Sequence, residues 1–398
     1  MRILMIHNYY RQRGGEDFYV DSLTDLLTKQ GHQIFKFYRY SATQDHPSAS
    51  PVTKLSRTSY AHLKHALEVL IGEVRPEIAH VHNLYPFIGN QMYHVLRALQ
   101  IPVVQTVHNH RLMCLNGLFM LNDGTHCRRC QAGNFFHGVS RKCYQNSLVK
   151  SAYMAIQLSQ FRTQDLRSPL VNCFICPSHY IKKRMQEMGV AENRLSCLPH
   201  FLEPPADILP VKQDNQKPYA VYLGRLSKEK GVLTLLKAFE DMNDIELKVI
   251  GEGELASLID QHIREKRLNH IARLGYVTGE EKLRLIGSAA CLVAPSECEE
   301  SFGLSVLEGF RLGVPVIATD LGSLPELVCD GKNGWLISPG DVNALRTAVK
   351  QASFQDDKTC LQMSQCAKQT FEEKHTPQVV YFQLLEVYQR ARSLLAVK

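Results

Sequence analysis

Short apolar runs of four to seven residues recur along the chain, each followed by a stretch of helical length in which apolar positions return every three or four residues. In the first half the runs are Arg2 to His7, Gln33 to Phe37, Ile78 to His82, Val103 to Val107 and Cys173 to Cys176. A continuous apolar run is what a strand covered on both faces needs, and its alternation with amphipathic helices predicts a doubly wound parallel sheet. A Pro-rich stretch without apolar period, Leu198 to Pro218, holds Pro199, Pro204, Pro205, Pro210 and Pro218 and reads as a linker. The rhythm restarts with Ala220 to Leu223, Leu247 to Ile250, Arg273 to Val277, Cys291 to Pro295, Val316 to Thr319 and Trp335 to Ser338, predicting a second Rossmann-like domain. After about Pro377 a single amphipathic helix carrying Val380, Phe382, Leu384, Leu385, Val387 and Tyr388 is placed to pack back on the first domain.

The expected organisation is an α/β chain with a first domain over residues 1–200, a second over 217–375 and the closing helix over 376–398. Within the first domain a Cys-, Gly- and His-rich insertion over 110–146 breaks the alternation, and a loop of that length needs a function or a staple of its own. With 398 residues, 44% hydrophobic and 21% charged, the chain can bury two cores. No segment approaches the roughly 20 apolar residues of a membrane span, and the opening strand is too short for a signal-peptide core, so a cytoplasmic protein is expected.

Charge sharpens this picture: residues 1–200 carry a net +11 and the remainder −4. The basic half predicts an anionic partner, a phosphorylated lipid at the inner membrane face or an acidic glycan, with a merely solvated basic surface as the alternative. No nucleic-acid partner is expected. The 12 cysteines of a cytoplasmic chain point to burial or metal ligation rather than disulfides.

In parallel α/β sheets ligands collect beyond the carboxyl ends of the strands, where helix N-termini offer free amides. The run Ala220 to Leu223 ends in Gly224-Arg225-Leu226-Ser227-Lys228-Glu229-Lys230-Gly231, so two cations, Arg225 and Lys230, stand where a helix begins. An Arg fork and a Lys point charge together can neutralise a leaving diphosphate without a metal. The run Cys291 to Pro295 leads into Ser296 to Glu308, with Glu300 before a helix starting near Gly303 and Glu308 within it. A carboxylate at a strand end accepts hydrogen bonds from sugar hydroxyls, one farther up the helix can take both hydroxyls of a ribose, and the amides of Phe302, Gly303 and Leu304 would meet phosphate between them.

These motifs resemble the large retaining glycosyltransferase family four, whose two-domain architecture is GT-B, two Rossmann-like domains facing a cleft, and whose signature is a Glu, seven residues and a second Glu. The resemblance runs on through Gly251-Glu252-Gly253, Pro295-Ser296, Gly313-Val314-Pro315-Val316-Ile317-Ala318 and Gly322-Ser323-Leu324-Pro325-Glu326, with order and spacing both fitting. It implies that Arg225 and Lys230 bind the donor diphosphate, Glu308 the ribose, Glu300 the hydroxyls of the transferred sugar, and the 302–304 amides the distal phosphate. It also places the acceptor in the first half, where Gly14-Gly15 follows the first strand and Gly15 is expected near the donor phosphates, with Glu16 next.

The run Val103 to Val107 delivers His108, which the family resemblance assigns to the reacting sugar or acceptor; the next residue is Asn109 where the family usually has Asp. His110 and Arg111 stand beside it to compensate for the missing charge. The insertion contributes Cys114, Cys127, Cys130 and Cys143, a spacing of twelve, two and twelve residues that suits a structural zinc, with His126 or His137 able to replace a Cys; an iron–sulfur cluster or free thiols are the alternatives. Cys173 and Cys176 also read C-x-x-C but lie in a strand where residues three apart face opposite sides, so each is expected to bury singly.

The expected activity is transfer of a sugar, with retention and without a catalytic metal, from a nucleotide-diphosphate sugar to a glycan or polyprenyl-linked acceptor in bacterial surface polysaccharide synthesis, such as lipopolysaccharide or capsule. Donor on the second domain and acceptor on the first meet by closure about Leu198 to Pro218. A sugar-nucleotide 2-epimerase of the same fold and a non-catalytic nucleotide-sugar-binding protein are the rivals. A Rossmann dehydrogenase is disfavoured, since no G-x-G-x-x-G follows the first strand.

Overall fold

The computed structural model describes residues 1–10, 13–40, 60–205 and 217–396; residues 206–216 of the expected linker lie outside the described set. Two compact units result, one of residues 1–117, 127–200 and 380–398, the other of 118–126 and 201–379.

The first unit is a six-stranded parallel sheet of β1 (Arg2–Tyr9), β2 (Gln33–Tyr40), β3 (Ile78–Val81), β4 (Val103–Thr106), β5 (Cys173–Cys176) and β6 (Leu195–Cys197), in the order β2-β1-β3-β4-β5-β6. Its helices are α1 (Gly15–Lys29), α2 (Tyr60–Val74), α3 (Gln91–Ala98), α4 (Phe136–Ser140), α5 (Leu148–Arg167) and α6 (His179–Glu187). The expected strands are all present, and β3, β4 and β5 are buried along their whole length. The edge strand β6 has three residues, too few to carry a readable alternation.

One carboxylate fixes how β1 hands over to α1. Asp17 is fully buried and accepts from Gly14 N at 3.0 Å, while His7 Nε2 meets its other oxygen at 2.8 Å. It thus caps the helix and ties its first turn to the strand, which is why a polar residue can occupy that core position. At the far end of α5, Arg194 donates to both Asp165 oxygens at 2.9 and 2.7 Å, and Asp165 also accepts from Leu170 N and Val171 N. That buried, fully hydrogen-bonded pair sets the entry into β5.

The second unit repeats the plan with β7 (Tyr219–Leu223), β8 (Glu246–Ile250), β9 (Ile271–Gly275), β10 (Cys291–Ala294), β11 (Val316–Thr319) and β12 (Gly334–Ile337), ordered β12-β11-β10-β7-β8-β9 and all parallel. Its helices are α7 (Val232–Phe239), α8 (Ala256–Glu265), α9 (Gly279–Gly287), α10 (Leu304–Phe310), α11 (Leu324–Leu327), α12 (Val342–Phe354) and α13 (Asp357–Lys374). Strand residues divide between two cores by the period of two: Ala220, Tyr222 and Val293 join one, Val221, Leu292 and Ala294 the other. Both faces are therefore covered, as the unbroken apolar runs require.

The closing helix α14 (Pro377–Ala396) begins in the second unit and from Val380 belongs to the first. There the Tyr388 hydroxyl reaches His80 Nδ1 at 2.8 Å and Tyr381 reaches His32.

Candidate functional site

In the second sheet the strand order reverses between β7 and β10, and the crevice beyond the carboxyl ends of such a pair is where open α/β sheets take ligands. The two loops singled out from sequence flank that point. They are built as one piece: Glu297 N and Cys298 N both donate to Glu229 O, at 2.9 and 3.2 Å, and Thr319 Oγ1 donates to Ser296 O at 2.7 Å. Two glycines permit the closeness. Gly231, at φ 69°, would place a Cβ 1.8 Å from Pro295 O, and Gly322, at φ 65°, would place one 2.6 Å from the backbone of Glu300. No L side chain fits either position.

Within these loops Lys230 Nζ donates to Glu300 Oε1 at 2.5 Å, and Ser296 Oγ donates to the same oxygen at 2.5 Å. Burial alone would raise the Glu300 carboxyl, but the Lys230 ammonium and the two hydrogen bonds outweigh it and hold the group below the usual carboxylate range. Burial would likewise lower Lys230, and the Glu300 charge outweighs it, so the ammonium is held above its usual value. Arg225 lies more than half exposed, with its guanidinium on Glu229 Oε1 at 2.7 Å. Arg225, Lys230 and Glu300 thus share one electrostatic neighbourhood, in which both cations act on the Glu300 carboxyl.

Glu308 belongs to a separate cluster. It sits in the second turn of α10, where Lys282 of α9 meets one carboxylate oxygen at 2.8 Å and Arg311 pairs with the other. Phe302 and Gly303 precede α10 and Leu304 opens it; Gly303 is the N-cap, and Ser323 Oγ donates to Phe302 O at 2.9 Å. Lys282 and Arg311 were not singled out from sequence, and Ser296 was quoted there only within the Pro295-Ser296 motif, without a role. Only the i, i+3 step from Glu308 to Arg311 was legible there.

In the first unit the switch point lies between β1 and β3; His82 follows β3, and a row of histidines runs from it to His108, beyond β4, and His200, beyond β6. His82 Nδ1 and His108 Nε2 are 2.8 Å apart, and His108 Nδ1 and His200 Nε2 3.3 Å apart. Burial first, then the neighbouring imidazoles, hold His82 and His108 well below the ordinary histidine value, so both are neutral at pH 7. Each neutral ring carries one N–H and one acceptor, so the row can exchange tautomers in concert.

Beside this row is a polar cavity of about 30 Å³ lined by Glu16, His82, Gln105, His108, Asn109 and Arg111 among others. That is room for one or two waters or a hydroxyl group. Among the described residues, His82 Nε2 and Gln105 Oε1, both buried, have no hydrogen-bond partner. The Asn109 side chain donates to Glu16 Oε2 at 3.3 Å, and the Tyr10 hydroxyl reaches the same oxygen at 3.2 Å. Burial raises the Glu16 carboxyl, with Asp17 adding to the rise and His7 and Arg111 opposing it. An aspartate at position 109 would face a carboxylate already there; Asn109 supplies a donor instead. Gly15 is the first residue of α1, immediately before Glu16.

All twelve cysteines carry free thiols. Cys114, Cys127, Cys130 and Cys143 are near enough to act on one another: burial, then Cys114, push the Cys130 thiol up to about 12, and Cys143 rises to about 11 from burial, then Cys114 and Cys127. Among the described residues no group of three or more His, Cys, Asp or Glu is arranged to hold a metal ion. Cys173 and Cys176 are both buried in β5.

Two family models match the chain. Glycosyltransferase Family 4 covers residues 13–204 and Glycosyl transferases group 1 covers 207–370. The O-antigen chain mannosyltransferase B of Escherichia coli is 30% identical over 223 residues, 52% of this chain and 53% of that protein. The chain spans about half the length of the curated relatives it matches. The sucrose-phosphate synthase of Thermosynechococcus elongatus superposes with a TM-score of 0.71 at 18% identity, covering 100% of both chains. The Anabaena protein HepE, solved with UDP and glucose, superposes at 0.67 with 15% identity, covering 98% of this chain and 99% of that one. At these identities the structural likeness shows the fold: two parallel six-stranded sheets with flanking helices, as in GT-B proteins.

Proposed function

The chain belongs to the glycosyltransferases of the group 1 and family 4 lineage, and from that premise we propose that it transfers a sugar, with retention of configuration, from a nucleotide-diphosphate sugar to a glycan or lipid-linked acceptor. The observation that carries the reading is the Lys230–Glu300 pair at the switch point of the second sheet, with Arg225 beside it. A cation and an anion held in one locked loop pair suit the two ends of an activated sugar: Arg225 and Lys230 neutralise the diphosphate as it leaves, and Glu300 accepts from sugar hydroxyls. No metal is needed for that neutralisation. Glu308, positioned by Lys282 and Arg311, takes the ribose hydroxyls.

The first unit supplies the acceptor side. Glu16, in its partly desolvated carboxylate form, accepts the hydrogen bond of the incoming hydroxyl, and neutral His108, held between His82 and His200, orients it. A donor phosphate oxygen takes the proton as attack proceeds from the leaving-group face. The O-antigen mannosyltransferase and the UDP- and glucose-bound HepE support a nucleotide-sugar donor and a role in bacterial surface polysaccharide. No helix among the described residues is long and apolar enough to cross a membrane, which accords with a peripheral protein at its cytoplasmic face. A structural zinc on Cys114, Cys127, Cys130 and Cys143, which rests on their spacing in the sequence and not on a grouped arrangement among the described residues, has no part in this chemistry. One equivalent of zinc per chain supports it; metal-free protein with four additional titratable thiols removes it.

Mass spectrometry of products from a panel of UDP- and GDP-sugars, each with glycan and polyprenyl-phosphate-linked acceptors, tests the whole reading. The expected result is one sugar added to an acceptor with release of the nucleoside diphosphate. A sugar epimerised with donor alone would instead establish the isomerase, and nucleotide binding without turnover the binding protein.

A further inference from the structure

Between Asp123 and Asp165 the chain carries no carboxylate and six Arg and Lys residues, whereas the whole chain sets 39 Asp and Glu against 46 Arg and Lys. Five of the six, Arg128, Arg129, Arg141, Lys142 and Lys150, are exposed; Arg162 instead turns inward to donate to Gln131 O and Met188 O. The same segment exposes large apolar side chains at a density unlike the rest of the unit. Phe136 of α4 is 77% exposed and Val149 of α5 78%, and Leu148, Tyr153 and Ile156 are each more than half exposed.

These positions form one face. Val149, Tyr153 and Ile156 follow each other at steps of four and three along α5, so a single stripe of the helix is apolar outward until it reaches Gln160. Ile156, Ala152 and Ala155 of α5 and Phe136 and Val139 of α4 line an open groove between the two helices. The opposite stripe of α5, with Met154, Leu158 and Phe161, is buried in the unit, so the helix is apolar on two sides for two different reasons. Three of the cations adjoin this face: Arg129 and Arg141 act on the His137 imidazole of α4, both lowering it after burial, and Lys150 follows Val149 directly in α5.

A solvated surface gains nothing from exposed Phe, Val, Tyr and Ile, and a protein partner of ordinary composition would not demand the removal of every carboxylate over forty residues. An anionic bilayer asks for both features together, apolar side chains to enter the acyl boundary and cations to meet the phosphates around them. We propose that the α4–α5 face, with Phe136, Val149, Tyr153 and Ile156 as its apolar centre and Arg128, Arg129, Arg141, Lys142 and Lys150 as its rim, docks the protein on an anionic lipid membrane. This deepens the lipid-linked acceptor of the preceding reading and rests on it for its purpose, while its test requires no catalysis.

The test is sedimentation of the full chain with vesicles of pure phosphatidylcholine and of phosphatidylcholine containing phosphatidylglycerol, at low and high salt. Binding to the anionic vesicles alone, weakened by salt, is expected. Each charge removed by Lys142→Gln or Lys150→Gln should lower the partition coefficient about fivefold, as a contribution near 1 kcal/mol per cation at the surface implies. Tyr153→Ser with Ile156→Ser, at positions already exposed and so tolerated by the fold, should lower it a further fivefold or more. Circular dichroism and titration with UDP and GDP, which should match the wild type, separate loss of docking from loss of the donor site. Equal binding to both vesicle types, no binding at low salt, or a self-associating chain that Ile156→Ser turns into monomers without any vesicle binding would overturn the proposal and leave the transferase reading standing.

Discussion

Lys230 and Glu300 should respond differently to a nucleoside diphosphate and to the intact sugar nucleotide, because the two side chains are assigned to different ends of the donor. In the structure they share a 2.5 Å hydrogen bond, with side chains 26% and 15% exposed. Lys230→Ala removes a charge-assisted phosphate contact of about 1.5–3 kcal/mol, so the affinity for UDP or GDP should fall roughly ten- to a hundredfold. It also leaves the Glu300 carboxylate largely buried without its cation, a loss of about 2–3 kcal/mol of stability after discounting for the exposure of Lys230. The sign of the pH dependence follows. Glu300 is held below its unfolded value, so its contribution is present above that value and is lost as pH falls through the folded one. Without Lys230, burial reverses the shift, and the variant should be least stable at high pH and recover as the carboxyl protonates. Glu300→Gln has the opposite profile: it removes the negative charge that pairs with the phosphate-binding Lys230, so UDP or GDP should bind at least as tightly as to wild type. It loses an acceptor for sugar hydroxyls, so sugar-nucleotide turnover should fall by tenfold or more. Isothermal titration with UDP, GDP and the corresponding sugar nucleotides, beside thermal unfolding from pH 5 to 9, measures all of these. Equal weakening of the free nucleotide by Glu300→Gln and Lys230→Ala, or unchanged nucleotide affinity in Lys230→Ala, would refute the assignment of the two side chains to different ends of the donor.

Three further outcomes are expected. The Glu16 carboxyl is raised by burial, so the acid limb of the acceptor-dependent rate should lie above the ordinary carboxylate range; Glu16→Gln should abolish that limb and slow transfer about a hundredfold. Asn109→Asp replaces a donor with a second negative charge and should move the limb higher still, with nucleotide affinity untouched. Gly231→Ala, whose Cβ would meet Pro295 O, should cost about 2–4 kcal/mol in urea unfolding and weaken nucleotide binding, whereas Gly279→Ala, with the same sign of φ but open space around it, should cost only about 1–2 kcal/mol and leave binding intact.

What could be read in the sequence was what is local. Strand ends, helix starts and the cations and carboxylates between them lie within eight or nine residues of each other, and the β7 and β10 loops were legible for that reason, as was the doubly wound pattern itself. The resemblance to family four then supplied roles that spacing alone does not. Contacts between distant segments were not legible. Asn109 meets Glu16 across 93 residues, and the row of His82, His108 and His200 gathers three separate strand ends. The substitution of Asn for the expected Asp looked like a lost charge in sequence; in the fold it sits beside a carboxylate from α1. Periodicity also missed β6, whose three residues are too few to show a repeated alternation and which is held by its register with β5. The insertion over 110–146 read as a single block, but residues 118–126 cluster with the second unit, where Lys228 Nζ donates to Asp123 O at 2.7 Å.

Hydrogen–deuterium exchange of the full chain with and without saturating UDP or GDP addresses the donor site without any assumption about acceptor or product. Slowed exchange concentrated in the peptides spanning 224–231 and 296–308 is the result this account predicts. Protection confined to the first unit, or none in either of those two loops when titration shows that the nucleotide is bound, would contradict it.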